Sequence, residues 1–182
     1  MSATPSAEDS SIVDFNVKVG PWVVFAPQGD LLFEGKLARF ADQGGIVRRL
    51  EGRAMTSPGE LYREFALKMS FPSYFGHNWD ALIDCLDDLH GDWHGNRDVV
   101  IVIKDFDVLG DTPHMPKFVS VLCQAAEKAN SVFDDDGEPF HRQAIALHFL
   151  LETEKAGLAE LSAKLTSAEY ATSMRHGYLV LE

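Results

Sequence analysis

Residues 71–89 read F-P-S-Y-F-G-H-N-W-D-A-L-I-D-C-L-D-D-L, and the fold reading turns on the change of character within them. Pro72 and Gly76 punctuate a loop. Asn78 then offers a side-chain oxygen to an orphan backbone N–H, the chemistry of an N-cap. From there Trp79, Leu82, Ile83, Leu86 and Leu89 recur at helical spacing and give one apolar stripe. Asp80, Asp84, Asp87 and Asp88 fall on a separate face, because positions i, i+4, i+7 and i+8 share one side of a helix. The predicted helix anchors itself with one side and holds four carboxylates in water with the other. Asp80 sits in the first turn, where the helix dipole favours negative charge, whereas Asp87 and Asp88 sit at the opposite end. Asp is also a poor helix former. A solvated face is the bland explanation of such a column. Against it, residues 78–89 contain no Lys or Arg, and like charges at i, i+4 repel by roughly 0.2–0.5 kcal/mol. The sharper expectation is a rigid anionic surface that docks on a cationic one.

The whole chain has the same sign. Over 182 residues the net charge is −12, which disfavours a nucleic-acid or anionic-membrane binder, since phosphate binding needs clustered Lys and Arg. It permits a basic partner, and it also suits simple solubility. Apolar residues make up 46% of the chain, ordinary for a globular core. The two cysteines, Cys85 and Cys123, lie in helical patterns beside apolar residues and read as buried free thiols. Residues 1–10 lack the basic and apolar regions of a signal peptide, and no apolar run approaches ~20 residues. The expected location is the cytoplasm.

Taken in order, residues 1–11 read as small, polar and loose. Residues 22–26 (W-V-V-F-A) predict a strand, 27–30 a turn and 31–34 a second strand, together an N-terminal β-hairpin. A short helix over 37–43 ends at Gly44-Gly45, and 46–50 predict another strand. Ser57-Pro58-Gly59-Glu60 is a capping box opening a helix with Leu61, Phe65, Leu67 and Met69 on its apolar side. The acidic helix follows, then a glycine-rich wet connection over 90–96. V-V-I-V-I at 99–103 predicts a strand buried on both faces. Residues 115–129 predict a helix with Phe118, Val119, Leu122, Ala125 and Ala126 inward, 132–140 a loop and 144–151 a strand. Crossovers of this kind require a parallel sheet, so the fold class is α/β, with helices on both faces. Thr153 is expected to cap a helix running to 165. Thr166 with Glu169 predicts a last helix ending near Gly177, giving a C-terminal helical extension. Residues 178–181 predict an edge strand that pairs with the 22–26 strand.

Other chemistry is weakly supported. His90, His94, Asp92 and Cys85 lack the spacing of a zinc site and read as polar loop residues. The D-D-D-G turn at 134–137 lacks a calcium-loop register. His148, in a buried strand, reads as a hydrogen-bonded core histidine. No phosphate loop, dinucleotide fingerprint or nucleophile elbow is present. An aspartate pair on a convex helix lacks the apolar pocket that would raise one pKa for acid catalysis. No metal, no cofactor and no enzymatic activity are expected. Trp79 belongs to the apolar stripe and reads as a core anchor. Tyr74 either packs the loop or stands beside the charges as a binding aromatic.

The run Tyr74, Gly76, Asn78, Asp80, Ala81, Leu82, Asp84, Cys85, Leu86 resembles the barstar-like family, intracellular inhibitors of barnase-type ribonucleases. The likeness extends upstream through residue 51 and downstream to about 152. Three segments follow: a 1–45 extension, a 46–152 barstar-like core and a 153–182 extension. The resemblance implies a protein inhibitor or immunity protein whose loop and acidic helix fill a ribonuclease active site, carboxylates standing in for RNA phosphates. Asp84 would be the central plug, pairing with Arg through charge-assisted hydrogen bonds, with Asp80 beside it. Tyr74 would stack on a catalytic histidine, Gly76 and Asn78 would shape the loop, and Gln124 or Glu127 would add a lateral contact. Asp87 and Asp88 make this helix more acidic than that of the best-known member, and Ile83 stands where that member carries an aromatic residue. The alternative is a non-inhibitory interaction or regulatory domain of the same fold that binds another basic protein.

Overall fold

The computed structural model describes residues 12–90, 94–133, 136–154 and 156–181, with only the backbone of residue 90. Expectations about residues 1–11, the His90 side chain, Asp92, Asp134 and Asp135 lie outside them.

The first strand, β1 (Val23–Pro27), is buried along almost its whole length. It does not enter a hairpin. The chain turns into a helix, α1 (Leu31–Asp42), where a second strand was expected. The reason is Asp30: its carboxylate accepts the Leu32 and Phe33 N–H groups at 3.0 and 3.2 Å, which satisfies two orphan donors of a first turn. Phe33, Leu37 and Phe40 then share one buried helical stripe. Next come β2 (Ile46–Glu51) and α2 (Pro58–Met69). Ser57 caps α2 as its sequence predicts, its Oγ accepting from the Glu60 N–H. Leu67, expected on the apolar side, is 74% exposed; the stripe is completed by Leu61, Phe65 and Met69.

The acidic helix is α3 (Trp79–Asp87), followed by β3 (Val99–Lys104), a short α4 (Phe106–Gly110) and α5 (Met115–Asn130). β4 spans Leu147–Thr153, three residues later than expected at its start. Thr153 is not a helix cap. It is the buried last residue of β4, and its hydroxyl donates to the Asp107 carboxylate. Helix α6 begins later, at Gly157, and runs to Ser167. Thr166 therefore lies inside α6, and among the described residues no further helix follows. The chain closes with β5 (Thr172–Arg175) and β6 (Tyr178–Leu181). His176 and Gly177 between them have φ of 52° and 87°, the left-handed pair that a two-residue hairpin needs.

The six strands of the described residues form one sheet in the order β2-β3-β4-β1-β6-β5. The pairs β2–β3, β3–β4 and β4–β1 are parallel, and β1–β6 and β6–β5 antiparallel. The expected pairing of 178–181 with the first strand is present, Val24 opposite Val180, but β5 takes the edge. Alternate residues of β3 enter two cores: Val99, Ile101 and Ile103 meet α2, α3, α5 and α6, whereas Val100 and Val102 meet α1 and residues 12–15. His148 belongs to the second face, fully buried, its Nε2 donating to the Val17 carbonyl at 2.8 Å. The architecture is α/β with helices on both faces, and α3 lies against α5 on one of them.

Candidate interaction face

The loop that precedes α3 is fastened by its aromatics. The Phe75 ring is buried and meets Phe71 edge-on at 5.0 Å and Tyr62 at 6.3 Å. Asn78 holds the turn into the helix, its Oδ1 accepting the Ala81 N–H at 2.9 Å and its Nδ2 donating to the Gly76 carbonyl at 3.3 Å. That closeness explains the glycine. A Cβ on Gly76 would lie 3.1 Å from Asn78 Nδ2 and 3.3 Å from Ala81 Cβ. His77 takes a left-handed φ of 49°, a strained position that the sequence did not signal. Tyr74 points away from the core, 75% exposed.

Leu82, Leu86, Ile83 and Cys85 bury the inner side of α3. Full burial of each leucine stabilises by about 1.5–3 kcal/mol, so the helix is a firm platform. Trp79 packs partly buried against Tyr62 at 5.1 Å and Phe118 at 6.4 Å, in keeping with a core anchor. Both cysteines are free, and burial pushes each thiol up to about 11, with nearby carboxylates adding to the shift.

Asp80, Asp84 and Asp88 are exposed. Asp87 is not. The expectation of four carboxylates bare to water fails there, because the Arg142 guanidinium pairs with Asp87 at 2.7 Å, with the two side chains only 15% and 18% exposed. Asp84 is 72% exposed, and the Lys128 ammonium approaches it at 3.9 Å. Neither cation was visible from spacing: Arg142 lies 55 residues from its acid, and Lys128 reaches across from the facing helix.

The α3–α5 seam opens into a groove of about 720 Å³. Asp80, Asp84 and Asp87 line one side, and Gln124, Glu127 and Lys128 of α5 the other. Gln124 is exposed and donates to Ser120 Oγ at 2.8 Å. The structure thus brings Asp80, Asp84, Gln124 and Glu127 together, while Tyr74, Gly76, Asn78 and Asp88 stand outside the groove. Ile83, Phe133 and Phe140 complete its lining and were not foreseen as site residues. The face can hold cations through carboxylates at its rim. Among the described residues, no group of three His, Cys, Asp or Glu side chains is placed to hold a metal ion. His94, expected in a wet connection, is 3% exposed, and burial holds its pKa below the usual histidine range.

A sequence model of a known family, Barstar (barnase inhibitor), matches residues 46–145, more than half of the chain. The chain belongs to the barstar family. That stretch carries β2, α2, α3, β3 and α5, hence every residue of the groove. No curated protein matches the chain. Among solved structures, the Aeropyrum pernix ORC2 protein in its ADPNP–ADP complexes superposes with a TM-score of 0.50 at 14% identity. The alignment covers 76% of this barstar-family chain and 33% of the ORC2 chain. This chain spans about a third of that protein's length, and at such identity the likeness is one of fold alone. Among the described residues, no helix is long and apolar enough to cross a membrane.

Proposed function

We propose that this barstar-family protein inhibits a basic ribonuclease by occupying its active-site cleft with the loop before α3 and the outer face of α3. The observation that carries the reading is the convergence of Asp80 and Asp84 with Glu127 and Gln124 along one groove, with Tyr74 exposed on the adjoining loop. Carboxylates fixed on a buried-sided helix present charge where a nuclease presents Arg, Lys and His to RNA phosphates. In this role Asp84, which lines the groove with its side chain 72% exposed, is the central contact. Asp80 flanks it, Glu127 and Gln124 contact the partner laterally, Tyr74 stacks on a partner histidine, and Gly76 and Asn78 hold the loop. Asp88 contributes to the surrounding field. Asp87 serves inward, by fixing Arg142, rather than as a contact. The protein acts by binding, without chemistry of its own.

A second reading is favoured by one observation. Lys128 and Arg142 offset part of the acidic column from within the chain, so the face is less purely anionic than α3 alone. That suits a basic partner other than barnase itself, bound by the same groove in a regulatory role. Calorimetric titration with a barnase-type ribonuclease at low and high salt tests the first reading. Binding that weakens with salt, and weakens by at least tenfold on Asp84→Ala, is expected for a charge-assisted pair near an interface centre. Absence of binding at low salt removes the ribonuclease. Asp84→Ala binding as tightly as the parent removes Asp84 as the plug.

A further inference from the structure

One wall of the groove comes from the segment that follows α5, and it is apolar. Phe133 and the adjacent Val132 are 53% and 52% exposed, and Phe133 lines the groove beside the carboxylates. Hydrogen bonds hold its backbone. The Phe133 N–H donates to Ser131 Oγ at 3.1 Å, and that hydroxyl donates back to the Phe133 carbonyl at 2.7 Å. Phe133 and Pro139 form a β-bridge, and the Phe140 N–H donates to the Val132 carbonyl at 2.9 Å. Arg142 then rivets the base of the segment to both helices. Its guanidinium donates to the Asp87 carboxylate at 2.7 Å, to the Asp87 carbonyl at 3.2 Å and to the Lys128 carbonyl at 3.3 Å. It also lies over the Phe140 ring, 4.2 Å from its centre.

We propose that the groove takes two adjacent side chains from one surface loop of a basic protein partner: a cation that settles on Asp84 and Glu127, and an aromatic or aliphatic group that packs against Phe133 over Ile83. This rests on the reading that a basic protein docks on α3. The sign of the occupant follows from charge complementarity, since Asp80, Asp84 and Glu127 line the groove of a chain with net charge −12. The apolar half follows from Phe133, 53% exposed in the groove lining, which a bare ammonium group would leave in water. Because the Phe133 backbone is already hydrogen-bonded, little backbone ordering is needed there when the partner arrives, and an aromatic contact beside charge is the composition of an interface hot spot. The segment is therefore a specificity determinant: it distinguishes among basic partners by what flanks their cation.

The test uses the full chain and two kinds of probe in calorimetry. One is a barnase-type ribonuclease. The other is a pair of short peptides of equal positive charge, one with Trp between two Arg residues and one with Ser in place of that Trp. Phe133→Ser is the variant, with circular dichroism to establish that it folds; the side chain is half exposed, so the core is left intact. Phe133→Ser is expected to weaken the ribonuclease and the Trp peptide roughly 5- to 30-fold, one or two hot-spot increments, without altering the salt slope. If the ribonuclease binds and Phe133→Ser binds it equally well, the inference is overturned and the inhibitor reading stands. If the ribonuclease fails but the Trp peptide outbinds the Ser peptide and loses that advantage in Phe133→Ser, the inference holds and the ribonuclease reading falls. If neither probe binds, both are overturned.

Discussion

Replacing Arg142 by Ala removes the rivet between α3, α5 and the Phe133 segment, and the structure gives the size of the effect. Among its bonds the guanidinium makes a charge-assisted one to Asp87 at 2.7 Å and others to the Asp87 and Lys128 backbone carbonyls. Breaking a fully buried pair by removing one partner costs about 3–5 kcal/mol, whereas an exposed pair is worth about 0.2–1 kcal/mol. With exposures of 15% and 18%, this pair lies nearer the buried limit, and a loss of about 2–3 kcal/mol follows. For a chain of this length each kcal/mol moves Tm by ~2–4 °C, so Tm should fall by roughly 4–12 °C. Urea unfolding followed by circular dichroism should show a lower midpoint at unchanged slope. Arg142→Lys should fall between, because an ammonium cannot reproduce the fork. A double-mutant cycle with Asp87→Ala should return a coupling above ~0.5 kcal/mol. Binding supplies a sign test as well. If charge alone governed the groove, deleting a cation would tighten a basic partner; if the pinned wall matters, Arg142→Ala weakens it. A midpoint equal to the parent's, or tighter binding by Arg142→Ala, refutes the rivet.

Lys128→Ala should do the opposite to affinity. At 3.9 Å its attraction to Asp84 is about 1 kcal/mol in a water-like dielectric, and exposed pairs realise ~0.2–1 kcal/mol, so a ribonuclease should bind roughly 1.4- to 5-fold tighter at low salt. Calorimetry at ~0.05 M and ~1 M salt checks this, since the gain should vanish when screening shortens to ~3 Å; weaker binding would make Lys128 a contact in its own right. Stability should fall on acidification. Burial holds His148 and His94 below their ordinary pKa, so the unfolded chain binds protons near pH 6.5 that the folded chain refuses, and stability is lost as pH drops through and below that value. Melting at pH 7.5 and 5.5 reads the difference, and equal values at both would contradict it.

The middle of the chain was legible because its signals are local and agree with one another. Ser57 and Asn78 cap where their side chains predict, V-V-I-V-I is buried on both faces, and α5 buries the residues that its spacing nominates. The two ends were misread for identifiable reasons. L-L-F-E at 31–34 has the composition of a strand, but a single carboxylate at Asp30 converts it into the first turn of a helix. Thr153 and Thr166 look like caps, yet one completes a buried strand and the other lies within the last turn of a helix. At the C-terminus, His176-Gly177 is the turn signal that outweighs the apparent box at Thr166 and Glu169.

The acidic column shows the same limit at the site itself. Its helix, cap and outward Asp80 and Asp84 follow from spacing within a dozen residues. What happens to Asp87 depends on Arg142, whose approach requires the crossover through α5 and the return of residues 140–142 to the helix. No periodicity encodes that meeting. In the proposed binding role the pairing matters too, because a carboxylate bound to guanidinium no longer advertises itself to a partner. The charge removed from the column holds an apolar wall next to the charges that remain. A face of carboxylates alone would attract any cation. One in which an aspartate is used internally to set Phe133 beside Asp84 and Glu127 can require that the cation arrive with a particular neighbour.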